Sequence, residues 1–146
     1  MNVKDVIGLE QVEVGVRVSD KAHLLRELSR RAASALSVDP RVVLDALLAR
    51  ESPGSTDFGK GFALPHARLD GLPGIVALFM RLARPIDFAA IDGQAVDLII
   101  LLLTSASATD QRLATLAALS RPFRDPGFMQ QVRKTPDAEK IGRAHV

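Results

Sequence analysis

The apolar run DLIILLL at residues 97–103 constrains the fold of this chain more than any other segment. It lacks the alternating polar positions of a strand with one wet face, so it predicts a central strand covered on both faces. The six residues Leu98–Leu103 are far too few to span a bilayer, which takes about 20. A second strand is predicted at 11–18, where QVEVGVRV alternates and places its valines on one face.

Segments typical of helices alternate with these strands. Ser19 or Asp20 can cap a first helix, and Asp39-Pro40 starts a second one that runs to about Arg50. The further segments are a loop at 51–61, a strand at 62–64, a turn-rich connection at 68–74, a strand at 75–82, an irregular stretch at 84–96, a helix capped within 105–110 and ended or kinked by Pro122, and a short helix from Asp125-Pro126.

These elements predict an α/β (α+β) fold with a mixed central sheet of about five strands flanked by helices. With 146 residues the chain fits one domain, 1–146, with a core at about 3–134 and a loose C-terminal tail.

Composition excludes several classes of function. The chain has no Trp or Tyr and only 4% aromatic residues, which disfavours the stacking platforms of single-stranded nucleic-acid binding. It has no Cys, so neither a disulfide framework nor a thiolate metal site can form. The N-terminus lacks the apolar core of a signal peptide. We therefore expect a cytoplasmic protein with no nucleic-acid partner and no membrane insertion.

The segment TDFGKGFALPH at residues 56–66 holds the candidate chemistry. It ends on His66, and a neutral imidazole can act as a nucleophile near pH 7 because its ordinary pKa is about 6.5. Glycines upstream of it allow backbone N–H groups to approach an oxyanion. Arg68 and the hydroxyls of Ser55 and Thr56 lie close in sequence. The segment predicts an anion-handling site, although an isolated histidine is more often structural.

Other chemistries find no support. Zinc needs three or four ligands, and His66 has neither a Cys nor a second His at helical or hairpin spacing. The P-loop pattern and the GxSxG elbow are both absent from the sequence. We expect neither a metal nor a cofactor.

Residues 50–66, RESPGSTDFGKGFALPH, resemble the active-site segment of the fructose/mannitol-type enzyme IIA domains of the bacterial phosphoenolpyruvate-dependent phosphotransferase system. Residues 85–103 and 113–128 resemble two further segments of that family, in the same order and at the same spacing. The resemblance covers about residues 1–134 and implies the fold of those domains. A free-standing domain is most similar to the nitrogen-regulatory IIA branch.

The resemblance implies a role for each matching residue. His66 would accept a phosphoryl group on Nε2, as tele-phosphohistidine, from the phosphohistidine of HPr or of its nitrogen-branch paralogue. Arg50 would neutralise charge on the phosphoryl oxygens, together with Arg112. The implied phosphate-binding groups are Ser55, Thr56, Gly59, Gly61 and Arg68.

Two departures from the family pattern bear on the output of the protein. Arg112 stands where many members carry a second histidine, so a proton partner is lost while a phosphate clamp is retained. Lys60 replaces an asparagine of the glycine loop and adds a cation. These changes favour a regulatory IIA that acts on targets such as kinases or transporters. The alternatives are a sugar-specific IIA that passes phosphate to a separate IIB, or a pure binding regulator switched by phosphorylation.

Overall fold

The computed structural model of the chain describes residues 12–72, 75–88, 93–105 and 109–135. Its elements are β1 (Val12–Val16), α1 (Lys21–Leu36), α2 (Pro40–Glu51), β2 (Asp57–Gly59), β3 (Phe62–Ala63), β4 (His66–Arg68), β5 (Ile75–Ile86), β6 (Val96–Thr104), α3 (Thr109–Ser120), a 3-10 helix (Arg121–Arg124) and α4 (Pro126–Lys134). The predicted loose tail beyond residue 135 and the predicted start of the core at residue 3 lie outside the described residues.

The strands form one mixed sheet with the order β1-β5-β6-β3-β2, and β4 also pairs with β6. The β5–β6 and β2–β3 pairs are antiparallel, whereas β1–β5, β3–β6 and β4–β6 are parallel. The predicted fold class is confirmed, and the apolar run at 97–103 is the central strand β6. The described residues contain six strands rather than about five.

The side chains of β6 explain why its residues 98–103 are all apolar. Ile99, Leu101 and Leu103 join one buried cluster with α1 and α2, on one face of the sheet. Leu98, Ile100 and Leu102 join a second cluster with the C-terminal helices. Both faces of the central strand are therefore covered along residues 98–103, which accounts for the apolar side chains there.

Three aspartates cap helices at the predicted starts. Asp20 accepts from the N–H of His23, Asp39 from that of Arg41, and Asp125 from that of Gly127. Each cap satisfies a backbone donor that has no partner inside the helix. The caps fix where each helix begins, and α2 packs beside β4.

Three sequence-based assignments were wrong. Residues 51–61, predicted as loop, contain the end of α2 and the strand β2, which pairs with β3. The connection predicted at 68–74 begins inside β4, whose residues pair with Leu102–Thr104. Strands of three residues have no periodicity of their own, and their strand geometry comes from a longer neighbour. The predicted end of β5 at residue 82 also falls short, since the strand continues to Ile86.

In the described part of the chain, no helix has the length and apolar character needed to cross a membrane.

Candidate functional site

The position of His66 is set by an interruption in strand pairing between the short strands β3 and β4. β3 pairs with Leu98 and Ile99 of β6, and β4 pairs with the same strand again from Leu102 onward. Between these two paired segments, the N–H of Leu102 donates to the carbonyl of Pro65 at 3.0 Å. His66 is the first residue of β4, so its backbone is held against the central strand immediately after the proline.

The hydrogen bonds of the His66 imidazole assign its tautomer. Nδ1 lies 2.8 Å from the carbonyl oxygen of Leu64, and Nε2 lies 3.2 Å from Nε of Arg50. A carbonyl oxygen only accepts and a guanidinium only donates, so Nδ1 carries the proton and Nε2 presents its lone pair. Nε2 is therefore the ring nitrogen whose lone pair could act as a nucleophile.

Arg50 reaches the imidazole from the last turn of α2. Its Nε donates to His66, and its Nη1 donates to the carbonyl of Gly54 at 3.1 Å. A cation in the last turn also complements the partial negative charge of the helix C-terminus. One guanidinium thus links the histidine to the segment that follows α2.

The imidazole and Arg50 open onto a surface pocket of about 440 Å³. Arg68 lines the same pocket and is exposed. The other lining residues are Ala46, Ala49, Ala67 and Leu116. Small side chains around two arginines leave room for an anion at Nε2. Arg112 lies one helical turn before Leu116 in α3, and its side chain is outside the described part of the structure.

Ser55 and Thr56 contact the site through the backbone framework and do not line its pocket. The Ser55 hydroxyl donates to the carbonyl of Phe88 at 3.2 Å. The carbonyl of Thr56 accepts from the N–H of Leu64, the residue whose own carbonyl orients His66. The Thr56 side chain is buried, and its Oγ1 has no hydrogen-bond partner among the described residues. These two residues hold the segment that frames the imidazole.

Gly59 and Gly61 are not brought to His66. With Lys60 between them they form the β2–β3 turn, where all three residues have positive φ. The carbonyl of Gly61 accepts from the N–H groups of Asp97 and Leu98, at the start of β6, whereas His66 pairs at Leu102. Five residues of strand separate the two places by about 16 Å. The sequence places these glycines near the histidine, but the parallel course of β3 carries the chain away from them.

Sequence reasoning missed an ion pair behind the site. The Glu51 carboxylate is nearly buried, lies 2.8 Å from Nζ of Lys21, and accepts from the N–H of Thr56 at 3.3 Å. Its other oxygen is buried and has no hydrogen-bond partner in the part of the chain that the structure describes. An acid is unfavourable at a helix C-terminus, so its position directly after Arg50 was the available signal that it has a specific partner.

A second missed contact holds the glycine turn. Arg133 of α4 pairs with Asp97 at 2.8 Å and donates to the carbonyl of Lys60 at 3.0 Å. The two charged residues are 36 positions apart and carry no common motif. Only the fold brings them together.

Fold and site together define a mixed α/β domain with a histidine on β4 that faces a pocket. Residues 5–144 match the family described as "Phosphoenolpyruvate-dependent sugar phosphotransferase system, EIIA 2". A nitrogen regulatory protein of Bradyrhizobium diazoefficiens is 39% identical over 141 residues, which cover 97% of this chain and 92% of that protein.

Solved structures agree with these matches. The nitrogen regulatory protein IIA-Ntr of Neisseria meningitidis superimposes with a TM-score of 0.92 at 29% identity, covering 97% of both chains. The mannitol enzyme IIA of Escherichia coli, solved in complex with phosphorylated mannitol enzyme IIB, shares the fold with a TM-score of 0.76 at 17% identity, over 94% of this chain and 95% of that one. The chain belongs to the EIIA 2 family of the phosphotransferase system, in its nitrogen-regulatory branch.

Proposed function

We propose that His66 accepts a phosphoryl group on Nε2 from the phosphohistidine of an HPr-type carrier protein, and that the phosphorylated state serves nitrogen regulation in the cytoplasm. The tautomer of His66 carries the proposal. Nδ1 carries the proton and donates it in a hydrogen bond to the Leu64 carbonyl, so the lone pair of Nε2 faces a pocket that also holds Arg50 and Arg68. Membership in a phosphotransferase family supports it.

The transfer needs no proton movement at His66. The N–P bond of the donor breaks as the new bond from Nε2 to phosphorus forms, and Nδ1 keeps its proton throughout. The ring gains positive charge in this step, which the carbonyl of Leu64 stabilises. Catalysis then consists of positioning and electrostatic stabilisation of the phosphoryl group.

Arg50 must change partners during the step. Its Nε donates a hydrogen bond to the lone pair of His66 Nε2, and the proposed bond to phosphorus uses the same lone pair. We infer that this bond breaks and that the guanidinium turns its donors toward the phosphoryl oxygens, for which its fork geometry is suited. The bond from Nη1 to Gly54 keeps the group near the pocket as it turns.

The phosphate contacts that we propose come from Arg50, Arg68 and Arg112. Arg68 shares the pocket, and Arg112 lies on the helix that contributes Leu116 to it. Gly59 and Gly61 lie at the other end of β6, so the proposed site is built without them. Ser55 and Thr56 act by holding the framing segment.

Labelling with phosphoenolpyruvate, enzyme I and an HPr-type carrier tests the proposal. Wild type should gain one acid-labile phosphate, His66→Ala none, and His145→Ala, a control of matched residue type, as much as wild type. Imidazole ¹⁵N NMR should show the proton on Nδ1 before labelling and the phosphorus on Nε2 afterwards. Equal labelling of His66→Ala, or a proton on Nε2 in the unlabelled protein, contradicts the proposal.

The output of the site has two candidates. Relatives named nitrogen regulatory protein favour a regulator whose phosphorylation state changes its binding to kinases or transporters. The mannitol enzyme IIA that shares the fold was solved with its phosphorylated IIB, which keeps onward transfer to a IIB as the second candidate. Phosphate that leaves the labelled protein for a sugar-specific IIB supports transfer. Capture of a target by only one phosphorylation state, without loss of label, supports regulation.

A further inference from the structure

A second pocket, of about 360 Å³, lies where β1 ends. β1 and β5 run parallel, with a register shift between Glu13 and Val16, and their pairing ends with Val16 beside Leu82. The pocket is lined by Arg17, Val18, Ser19, His23, Ala83 and Arg84. In open α/β sheets, the carboxyl ends of parallel strands are the preferred place for ligands. The volume falls in the range of small-molecule sites, about 300–1,000 Å³.

The charge of this pocket has one sign. Arg17 and Arg84 are exposed, and neither forms an ion pair within the described ranges 12–72, 75–88, 93–105 and 109–135. The lining includes no acidic side chain. The nearby carboxylate of Asp20 is engaged as the cap of α1, where it accepts from the N–H of His23. Attraction for an anion therefore comes from the two arginine side chains, with the helix end already capped.

His23 adds a donor of fixed direction. The N–H of Ser19 donates to its Nδ1 at 3.1 Å, and the Ser19 hydroxyl lies 3.2 Å from the same atom. Nδ1 must be unprotonated to accept, so the neutral ring carries its proton on Nε2. Val18 and Ala83 give the rest of the lining an apolar surface. Two guanidinium forks, one N–H donor and an apolar wall suit an organic phosphate better than a simple halide.

We propose that this pocket binds a small soluble phosphate monoester, with Arg17 and Arg84 on the phosphate oxygens and Nε2–H of His23 as a third donor. The site is distinct from that of His66. In the sheet, His66 pairs at Leu102, which faces Ala77 of β5, seven residues before Arg84. That separation is about 23 Å along the strand. The inference does not depend on phosphorylation of His66.

Amide and imidazole NMR during titration with glucose 6-phosphate tests the site, with glucose as the uncharged probe. We expect shifts at Arg17, Ser19, His23 and Arg84 that saturate at millimolar ester, and no shifts with glucose. The double variant Arg17→Gln/Arg84→Gln should weaken binding by at least about tenfold, because charged hydrogen bonds are the stronger ones. The charge-matched control Arg41→Gln/Arg124→Gln should bind as wild type does.

The outcomes that overturn the proposal are separate from those that concern His66. Shifts confined to the pocket of Arg50 and His66 mean that phosphate binds there and not at the second site. Equal affinity in the two double variants means non-specific attraction to a basic surface. Sedimentation with phosphatidic acid vesicles, without shifts from glucose 6-phosphate, assigns the arginines to a lipid headgroup and overturns a soluble ligand. A folded Arg17→Gln/Arg84→Gln variant, checked by circular dichroism, makes each comparison valid.

Discussion

At the scale of single residues, reactivity depends on the proton of one imidazole and on the guanidinium beside it. The Leu64 carbonyl holds the proton on Nδ1 of His66, and Arg50 marks the lone pair of Nε2. The sequence pattern could predict that His66 and Arg50 meet, through the family it resembles. It could not predict the tautomer. The carbonyl that fixes it is that of Leu64, two residues upstream, where the pairing with β6 is interrupted.

We expect Arg50→Gln to slow phosphorylation of His66 by about 100-fold, as removal of one donor from a preorganised anion site does. The phosphorylation rate of Arg50→Lys should lie between those of wild type and Arg50→Gln, because lysine keeps the charge but lacks the forked donors of arginine. Initial rates of labelling at equal donor concentration measure the effect. Arg41→Gln, an exposed position at the start of the same helix, is the matched control. Equal rates in all variants contradict a phosphate role for Arg50.

At the scale of elements, the segment after α2 depends on a nearly buried carboxylate. Glu51 joins the start of α1, through Lys21, to the N–H of Thr56. Lys21 also lies over the ring of Phe88, 4.3 Å from its centroid. This arrangement ties two helices and the residues that frame His66 to one another, directly beside Arg50.

We expect Lys21→Met to reduce the free energy of unfolding by about 1–3 kcal/mol, because it leaves the Glu51 carboxylate without its cation. The double variant Lys21→Met/Glu51→Gln should recover part of this loss, since the unpaired charge is then gone. Urea unfolding of the two single variants and the double variant gives the coupling energy. Strictly additive effects contradict a direct interaction between the two side chains.

The β2–β3 turn is the second element with a specific requirement. Gly61 has a φ of +86°, and a Cβ there would lie 2.5 Å from Nη2 of Arg133 and 3.3 Å from the carbonyl of Ala95. Gly15 has a φ of +67° in open space, and Gly54 has neither constraint. A comparison of alanine substitutions at these three glycines therefore separates the effect of backbone strain from that of steric overlap.

Alanine at these glycines should destabilise in a fixed order. We expect losses of about 2–3 kcal/mol for Gly61→Ala, about 1 kcal/mol for Gly15→Ala and close to zero for Gly54→Ala. Gly61→Ala also has to displace the Arg133 guanidinium from Asp97. Urea midpoints at constant m value give the three numbers. A larger loss for Gly54→Ala than for Gly61→Ala contradicts the assignment.

At the scale of the whole molecule, the sequence predicts the central sheet and the helices that cover it, but it predicts only part of the site. The apolar run of β6 suffices to predict a central strand with two covered faces, because each alternate side chain needs an apolar neighbour. The strands β2 and β4 cannot be found this way, since three residues carry no period. The distance between the glycine turn and His66 depends on strand register, which short-range patterns do not contain.

Glu27 is an identifiable contributor to the acid stability of the molecule. Glu27 on α1 accepts hydrogen bonds from Arg30 and Arg31. The hydrogen bond from Arg30 is the largest cause that lowers the Glu27 pKa from 4.5 to about 2, and desolvation opposes it. A pKa that is lower in the folded state means a stabilising contribution above pH 4.5 that is lost as the pH falls toward about 2.

We therefore expect Glu27→Gln to be less stable than wild type at neutral pH, and to equal it near the folded-state pKa of about 2. Urea unfolding over a series of acidic pH values measures the difference. Asp45→Asn, which removes an exposed carboxylate from α2, controls for the change in net charge. A difference that stays constant down to the lowest pH contradicts the assigned linkage.

The mounting of His66 on β4 has a consequence for how partners distinguish the two states of the protein. Strand pairing with β6 and the bond from Leu102 to Pro65 leave the backbone of the acceptor little freedom to move. Arg50 extends from a helix end, and under the proposed phosphorylation of His66 it would release Nε2. The change in surface shape then falls on the guanidinium and its neighbour Gly54. We expect a protein that recognises only one state to contact that rim of the pocket.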